Sequence, residues 1–263
     1  MKTIIISDLH NRVDWIEDAL LSPLLQPYDK VIFLGDYFDD YNDTPEMAAN
    51  AATWLKYSIR KPNRIHITGT HDLWYRFPHN RFITVSGNTE TKAYAIRSIM
   101  TQEDWNRLCL YHYEQSFLLS HAGIHLNLIS EYVFKHKNLF DKYIVNKELQ
   151  LNGKEIVDKI VRPATTEALN RVKDGYAHPW LDAGIARGGI QPVGGIIWLD
   201  WRYEFKSIPG LNQIVGHTEF LEPQEKIIRN SNNYDLDTRN QHIGILENGE
   251  FRYIETIDIL ESI

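Results

Sequence analysis

The sequence predicts a layered α/β fold built as a single domain over residues 1–263. Short apolar runs typical of buried strands alternate with helical patterns in the first half of the chain, as is usual in α/β folds. The C-terminal part changes to strands, and the Asn248-Gly249 pair between two apolar runs predicts a hairpin. No internal repeat, low-complexity tract or clear linker interrupts this pattern, which favours one domain.

Five of the predicted strands end directly before a short polar motif. The strands are Thr3-Ile6, Val31-Leu34, Arg64-Ile67, Phe117-Leu119 and Gln213-Val215. The motifs that follow them are Asp8-Leu9-His10, Gly35-Asp36, Gly69-Thr70-His71-Asp72, Ser120-His121-Ala122-Gly123 and Gly216-His217-Thr218. Carboxylates and imidazoles at the ends of neighbouring strands can converge in one crevice, where α/β sheets usually bind ligands. Their mixture of oxygen and nitrogen donors is typical of metal ligands.

Four segments have helical features, namely residues 15–20, 44–58, 103–110 and 153–173. In the second of them, Thr44 is a typical N-cap and Pro45 suits the first helical position. We expect Pro163 to interrupt the fourth helix. The stretch 125–209 has weaker periodicity and many aromatic residues and glycines, so we interpret it as an insertion or cap over the crevice.

Composition excludes several classes of protein. Hydrophobic residues make up 43% of the chain, which is enough for a sizeable core and argues against global disorder. No apolar run approaches the ~20 residues of a membrane span, and the N-terminal run is too short for a signal peptide. The net charge of -7 makes general nucleic-acid binding an unfavourable interpretation. The single cysteine, Cys109, excludes an internal disulfide and a cysteine-based zinc cluster, so we expect a cytoplasmic protein.

The five motifs, in this order, resemble those of the calcineurin-like metallophosphoesterases. Each motif is weak alone, but five in order, each after a strand, are specific, and they span Asp8 to His217. The resemblance implies a central β-sandwich flanked by helices, with a dinuclear metal site at the strand ends. It further implies that Asp8, His10 and Asp36 hold one ion. Asp36 would bridge to a second ion, which His121 and His217 also hold.

The same resemblance gives His71 and Asp39 catalytic roles. His71 would lie beside the phosphate and protonate the leaving oxygen or stabilise the developing charge. Asp39 would pair with His71 and keep it protonated, since an opposite charge favours the charged form. The alternative interpretation of Asp39 is a solvated loop acid, and a lone histidine is more often a core or surface residue than a ligand.

Two residues depart from the family pattern. Thr70 stands where the family has an asparagine that binds the second metal ion, and its shorter hydroxyl is a weaker ligand. Asp40 stands where the protein-phosphatase branch has an arginine that binds phosphate, so the phosphate-binding cation must come from elsewhere. Arg187 and Arg202 are the candidates because a guanidinium matches phosphate oxygens. Each is equally well explained as a surface arginine, and the glycines after Arg187 slightly favour it.

The predicted function is a phosphatase that depends on two divalent metal ions, with a hydroxide between the ions attacking phosphorus in line. Mn²⁺ is favoured, with Fe or Zn²⁺ as alternatives. The substrate would be a phosphorylated small molecule, a nucleotide or a phosphoprotein, and the oligomeric state stays open. Glu219 follows Gly216-His217-Thr218, so the second histidine of nuclease-like members is absent. Two alternatives remain: a phosphodiesterase or nuclease of the same fold, and a phosphate-binding protein weakened in catalysis by Thr70.

Overall fold

The computed structural model describes residues 1–145, 148–228 and 230–263. Its strands are β1 (Lys2–Ile6), β2 (Lys30–Phe33), β3 (Arg64–His66), β4 (Tyr111–Glu114), β5 (Phe117–Ser120), β6 (Ile144–Val145), β7 (Glu148–Leu149), β8 (Asn212–Val215), β9 (Gln224–Ile228), β10 (Ser231–Asp235), β11 (His242–Glu247) and β12 (Glu250–Glu255). Its α-helices are α1 (Ile16–Ala19), α2 (Pro45–Ser58), α3 (Thr70–Arg76), α4 (Glu90–Ile99), α5 (Gln102–Trp105), α6 (Leu126–Lys135), α7 (Lys137–Phe140), α8 (Gly153–Ile156), α9 (Arg162–Lys173) and α10 (Thr256–Glu261).

Two five-stranded sheets form the centre of the molecule. The first has the order β12-β11-β1-β2-β3, and the second has the order β4-β5-β8-β10-β9. Strands β1, β2 and β3 run parallel, as do β5, β8 and β10. The short pair β6-β7 stands apart as a two-stranded hairpin. Because parallel strands end at the same edge of a sheet, the polar motifs after β1, β2 and β3 meet there, as do those after β5 and β8.

The apolar strands are buried on both faces, which explains their uninterrupted hydrophobic runs. Ile5 and Ile32 belong to a cluster that also takes Phe117, Leu119 and Ile214 from the second sheet, so it fills the space between the sheets. The neighbours of Ile5 in β1, by contrast, join the larger cluster that includes the helices. Side chains of a strand alternate between its faces, so β1 contacts the sandwich core on one face and helices on the other. The predicted layered α/β fold is confirmed.

Most predicted elements form close to their predicted limits. The Thr44 hydroxyl accepts a hydrogen bond from the Met47 amide at the start of α2, as an N-cap does. The Asn248-Gly249 turn has φ of 53° and 84°, and it joins β11 to β12 in an antiparallel hairpin. Pro163 lies in the first turn of α9, directly after a π-helical turn at Val157–Val161 that continues from α8. The predicted interruption is therefore a local widening of one helix.

The helix predicted over 103–110 is shorter in the structure and ends at Trp105. The physical reason lies in Cys109, whose amide donates to the His66 carbonyl at 3.0 Å while its own carbonyl accepts from the Thr68 amide at 2.8 Å. Tertiary pairing with the end of β3 thus overrides the local helical pattern. Among the residues that the structure describes, no helix is long and apolar enough to cross a membrane.

Candidate metal centre and active site

The strand ends bring together five of the residues named by the motifs. Asp8, His10 and Asp36 form one group in which the potential ligand atoms all lie within 4.8 Å of one another. Asp36, His121 and His217 form a second such group. Asp36 belongs to both, and its carboxyl group is buried. One carboxylate is therefore placed where it can offer an oxygen to each of two cations.

Hydrogen bonds to backbone carbonyls orient two of the imidazoles. His10 Nδ1 lies 2.6 Å from the Asp39 carbonyl oxygen, and His121 Nδ1 lies 2.9 Å from the Leu34 carbonyl oxygen. A carbonyl only accepts, so each Nδ1 carries a proton, and in the neutral ring Nε2 keeps a lone pair. Those Nε2 atoms face Asp36 Oδ2 at 3.8 Å and 3.3 Å. This is the arrangement by which proteins usually orient metal-binding histidines.

The backbone at the site is strained. Positive φ angles of 38°, 44°, 50°, 63° and 75° occur at Asp8, His10, Asp36, Asp39 and His217. Such angles are uncommon outside glycine and persist only where the surrounding structure enforces them, which happens most often at functional sites. The strain thus marks the same loops as the sequence motifs do.

Two glycines let the backbone approach the carboxylates closely. A β-carbon on Gly69 would collide with Asp36 Oδ1, and one on Gly216 would collide with Asp8 Oδ2. The space is used for hydrogen bonds: the His71 amide donates to Asp36 Oδ1 at 2.8 Å, and the His217 amide donates to Asp8 Oδ1 at 3.1 Å. The glycines of these motifs therefore allow the hydrogen bonds that hold the Asp36 and Asp8 carboxylates in place.

The donor set fits a divalent cation. Burial raises the pKa of Asp8 well above its usual range, and the nearby carboxylates of Asp237 and Asp36 raise it further. Like charges crowded in a buried site repel one another unless a cation compensates them. His217 Nε2 is also buried and has no hydrogen-bond partner among the described residues. A metal ion would relieve the repulsion between the carboxylates, and the donors of both groups are of the types that such ions bind.

Asp39 is the centre of a buried hydrogen-bond network. Its Oδ2 accepts from His71 Nδ1 at 3.1 Å and from the Asn88 amide at 2.7 Å, while its Oδ1 accepts from Tyr75 and Lys92 at 2.6 Å each. Burial alone would raise the pKa of Asp39, but the hydrogen bonds from His71, Lys92 and Tyr75 outweigh burial and lower the pKa. An ionised Asp39 fixes the His71 ring through Nδ1 and leaves Nε2 for other partners.

Lys92 was missed by sequence reasoning and is a central part of this network. Its side chain is only 4% exposed, and its Nζ lies 2.6 Å from Asp39 and 2.8 Å from Asp43. Asp43 in turn accepts from Asn11, the residue after His10. A lysine in helix α4 thus connects the loop of His71 with the loop of His10. No sequence motif indicates it, because the contact depends on how α4 packs.

Replacing Lys92 with methionine should lower the free energy of unfolding by about 3–5 kcal/mol, because two buried carboxylates would lose their cation. Urea denaturation in the presence of a chelator measures the change without a contribution from bound metal. The matched control is Lys154→Met, since Lys154 is also paired with an aspartate but is 69% exposed. That exposed pair should contribute little, because water screens it. Equal losses in both variants would contradict a central role for Lys92.

Asp72 stabilises the turn that carries Asp36 through hydrogen bonds from three backbone amides. Its carboxylate accepts from the amides of Gly69, Asp36 and Tyr37 at 2.7 Å, 2.9 Å and 2.8 Å. Burial raises the pKa of Asp72 to about 7, and the neighbouring Asp36 contributes to the increase. The sequence places Asp72 within a motif, but only the structure reveals that it holds the turn that carries Asp36.

Thr70 lies against the shared carboxylate. Its Oγ1 donates to Asp36 Oδ2 at 3.2 Å, and the side chain is buried at the start of α3. The structure therefore brings Thr70 to the group of predicted ligands. Its hydroxyl contacts the carboxylate that the two donor groups share.

The two arginines proposed for phosphate binding differ in position. Arg187 lines the cavity above the site, but its contacts are to protein: Nε lies 2.8 Å from Asp200 Oδ2, and Nη2 donates to the Thr218 hydroxyl at 2.9 Å. It holds the loop that carries His217. Arg202 is not among the described residues that line this cavity. It donates to the Glu219 carbonyl at 3.1 Å and stacks on Phe220 at 4.6 Å.

The cavity has a volume of about 1050 Å³. It is lined by His10, Asp36, Thr70, His71 and His217, and also by residues of the 182–198 segment such as Asp182, Arg187 and Trp198. Asp237 lines it as well, and its backbone follows β10, a strand that the sequence did not reveal. In the sequence, the two closely spaced aspartates Asp235 and Asp237 are the feature that could have indicated a role for Asp237 at the site.

The comparisons with known proteins agree with the fold. The chain is similar to a cold-active protein-tyrosine phosphatase of a psychrophilic Shewanella species, with 13% identity, a TM-score of 0.51, and coverage of 97% of this chain and 80% of that one. It is also similar to a protein serine/threonine phosphatase from Saccharomyces cerevisiae, with 12% identity, a TM-score of 0.46, and coverage of 97% and 80%. At these identities the structural similarity is evidence for the fold alone. That evidence comes from the first comparison, whose TM-score is 0.51.

A comparison at the level of families is more decisive. No curated protein matches the sequence significantly. The family described as calcineurin-like phosphoesterase, however, matches residues 1–218, which include every motif described above. Members of this family are metal-dependent, and the two donor groups that share Asp36 are candidate metal ligands. The chain belongs to the calcineurin-like phosphoesterase family, and it is a hydrolase that acts on phosphoester bonds.

Proposed function

We propose that this protein is a phosphatase that hydrolyses phosphomonoesters with the help of two divalent metal ions, of which Mn²⁺ is the favoured choice. The observation that carries the proposal is the pair of three-residue donor groups that share Asp36. Asp8 and His10 complete one group, and His121 and His217 complete the other. Each group offers mixed oxygen and nitrogen donors, which suit Mn²⁺, Fe or Zn²⁺.

The chain's own residues would bind the ions and orient the substrate. When bound, such ions lower the pKa of water and neutralise charge on phosphoryl oxygens. Asp36 would balance their mutual repulsion, and the carbonyl-bound imidazoles of His10 and His121 keep their Nε2 atoms directed toward that carboxylate. Water exclusion would come from Trp198, which lines the cavity and packs edge-on against the His217 ring at 5.7 Å between centroids.

His71 would donate a proton from Nε2 to the leaving oxygen. Its Nδ1 is held by Asp39 at 3.1 Å, so Nε2 is the atom left for the substrate. Burial lowers the pKa of His71, but the carboxylates of Asp36 and Asp39 outweigh burial and raise the pKa above its usual value. A histidine that keeps its proton near neutral pH can act as a general acid.

Residues 125–209 are proposed to be an insertion within one domain, with part of it forming a cap. The support is the contribution of Asp182, Arg187 and Trp198 to the cavity wall. Arg187 is retained as a substrate-binding candidate because it lines this wall, whereas the contacts of Arg202 lie elsewhere. A location in the cytoplasm is likewise a proposal, and so is a phosphorylated small molecule, nucleotide or phosphoprotein as substrate.

The test is hydrolysis of 4-nitrophenyl phosphate and of bis(4-nitrophenyl) phosphate, side by side, with Mn²⁺ and then with a chelator in excess. We expect chelator-sensitive turnover with the monoester preferred. A preference for the diester would instead support the phosphodiesterase alternative. Turnover that survives chelation of all divalent ions would contradict the metal-dependent mechanism.

A second candidate function is a phosphate-binding protein with weakened catalysis. The observation that favours it is Thr70, whose hydroxyl contacts Asp36 at 3.2 Å in the place of the larger asparagine amide of the family pattern. A neutral hydroxyl is a weaker metal ligand with a shorter reach. Under this candidate, the second ion binds weakly and turnover is low.

Replacing Thr70 with asparagine should therefore raise the affinity for the second Mn²⁺ about tenfold and raise the turnover by a similar factor. Changing a single residue around a metal site commonly alters affinity or activity on this scale. Calorimetric titration with Mn²⁺ gives the stoichiometry and affinity, and the aryl phosphate assay gives the rate. Thr70→Ala is the matched control and should lower the affinity. If Thr70→Asn leaves metal content and rate unchanged, the weakened-site explanation is wrong.

A further inference from the structure

Two arginines beside the site share one carboxylate. Arg12 Nε lies 3.4 Å from Asp40 Oδ2, and Arg239 Nη2 lies 3.5 Å from Asp40 Oδ1. Arg12 Nη1 also donates to the Arg239 carbonyl at 3.3 Å, so the two loops are in direct contact. Both arginines and Asp40 line the cavity that contains His10 and His71. We call Arg12, Asp40 and Arg239 the arginine cluster.

The arginine cluster is held by the same loops that carry the proposed site. Arg12 follows His10 by two residues, Asp40 follows Asp39 directly, and the Arg239 amide donates to Asp237 Oδ1 at 3.1 Å. The rings of His10 and His71 are 5.2 Å apart, centroid to centroid. Consecutive carboxylates thus bind His71 on one side and the arginine pair on the other. The cluster and His71 are therefore attached to the same loop through Asp40 and Asp39, and they line the same cavity.

The guanidinium groups of the cluster are incompletely satisfied. Their distances to Asp40 are longer than the roughly 2.7–2.9 Å of a charge-assisted hydrogen bond, and each arginine offers five N–H donors. Arg12 Nε is buried and has no hydrogen-bond partner among the described residues. The arginine cluster therefore has guanidinium N–H groups that can donate hydrogen bonds to a ligand.

The arginine cluster itself carries a net positive charge, because two guanidinium groups share the one carboxylate of Asp40. Asp40 is paired with both arginines. A second acidic side chain, Glu219, lies 3.9 Å from Arg239, and it is 57% exposed. An exposed pair at that distance is largely screened by water and contributes little. Cations bound at Asp8 and Asp36 would offset part of the negative charge of the cavity, which Asp43, Asp182 and Asp237 also line. The side chains of Arg12 and Arg239 are 31% and 40% exposed, so a ligand can reach them.

We propose that Arg12 and Arg239 form a binding site for a second phosphate group, one that the substrate carries on its leaving part. The inference rests on the proposed function and extends it to substrate class: compounds with two linked or neighbouring phosphates are preferred over simple monoesters. Asp40 holds the two guanidinium groups side by side until the substrate phosphate takes its place. The forked donors of two arginines match the several oxygens of a phosphate.

The test compares ADP, whose leaving group is a phosphate ester, with AMP, whose leaving group is uncharged. The variants are Arg12→Gln, Arg239→Gln and the double substitution, with Arg97→Gln as matched control because Arg97 is an exposed arginine paired with Glu90. We expect the wild-type protein to favour ADP over AMP in kcat/KM. The double substitution should reduce that preference about tenfold to a hundredfold, the scale of hydrogen bonds to a charged group, while Arg97→Gln retains it.

Binding of the non-hydrolysable α,β-methylene analogue of ADP, measured by calorimetry on the Mn²⁺-loaded protein, separates this inference from the proposed function. A protein that hydrolyses none of the phosphate esters, yet binds the analogue through Arg12 and Arg239, would refute the phosphatase proposal and support the arginine site. A protein that hydrolyses AMP and ADP, but whose preference and analogue affinity are unchanged in the double variant, would overturn the arginine site alone. Equal losses for AMP and ADP would also overturn it, since they indicate a merely structural role.

Discussion

Replacing Asp36 with asparagine should remove both metal ions together and reduce phosphoester hydrolysis by at least about 10²–10³-fold, the usual scale of losing one essential electrostatic contact. The reason is that Asp36 is the one residue common to both donor groups. Asparagine keeps the oxygen that accepts from the His71 amide, so the loop should keep its conformation. Metal content by mass spectrometry and the rate with aryl phosphate measure the two effects.

The fold of the Asp36→Asn variant should survive. Burial would raise the pKa of Asp36, but the imidazoles of His121, His71 and His10 outweigh burial and lower it well below its usual range. The ionised carboxylate therefore stabilises the metal-free fold, and the substitution should lower thermal stability under chelation while the protein still folds. The matched control is Asp18→Asn, an exposed aspartate in α1, which should keep wild-type metal content and rate. A folded Asp36→Asn protein that still binds two ions with wild-type affinity would refute the bridging assignment.

Replacing His71 with alanine should lower the rate about 10²–10⁴-fold and leave the metal content unchanged. The side chain contacts Asp39, and neither donor group includes it. Its backbone amide, which donates to Asp36, is retained in alanine. Metal analysis and steady-state kinetics on the same preparation test both parts of the expectation. Loss of an ion would mean that His71 is a ligand.

The leaving group provides a sharper test of the proton-donor role. An alkyl phosphate needs a proton on its leaving oxygen, whereas 4-nitrophenolate leaves without one. His71→Ala should therefore impair glycerol 2-phosphate far more than 4-nitrophenyl phosphate. His79→Ala is the control, since His79 is exposed and bonds to the Lys173 carbonyl. Equal losses on both substrates would exclude proton donation and leave only charge stabilisation.

Most of what could be predicted about the fold and the site came from the order of the sequence motifs. Strands that are buried on both faces are apolar throughout, so β1, β2 and β5 are visible in the sequence, and the motifs that follow them are specific through their order. Parallel pairing then requires these residues to meet at one sheet edge. The layered fold and the convergence of Asp8, Asp36 and His121 followed from that. Strands β9 and β10 escaped notice because they are more polar.

The supporting residues could not be predicted in this way. Lys92 bonds to Asp39, 53 residues away, and Asp72 bonds to the Asp36 amide, 36 residues away, and neither of these contacts leaves a local pattern. Arg187 had local glycines in its favour, yet its guanidinium is occupied by Asp200 and Thr218. Each of these assignments depends on how helices and loops pack, which is a tertiary property.

By itself, the sequence determined the alternation of strands and helices, the identity of the metal-ligand candidates and their place at strand ends. These are local properties, set by hydrophobic pattern and by residue chemistry. Only the tertiary structure decided that Lys92 balances Asp39, that Asp72 holds the turn of Asp36, and that Arg12 and Arg239 meet at Asp40. Distances of a few ångströms decide which charges are paired, and packing between distant segments sets those distances.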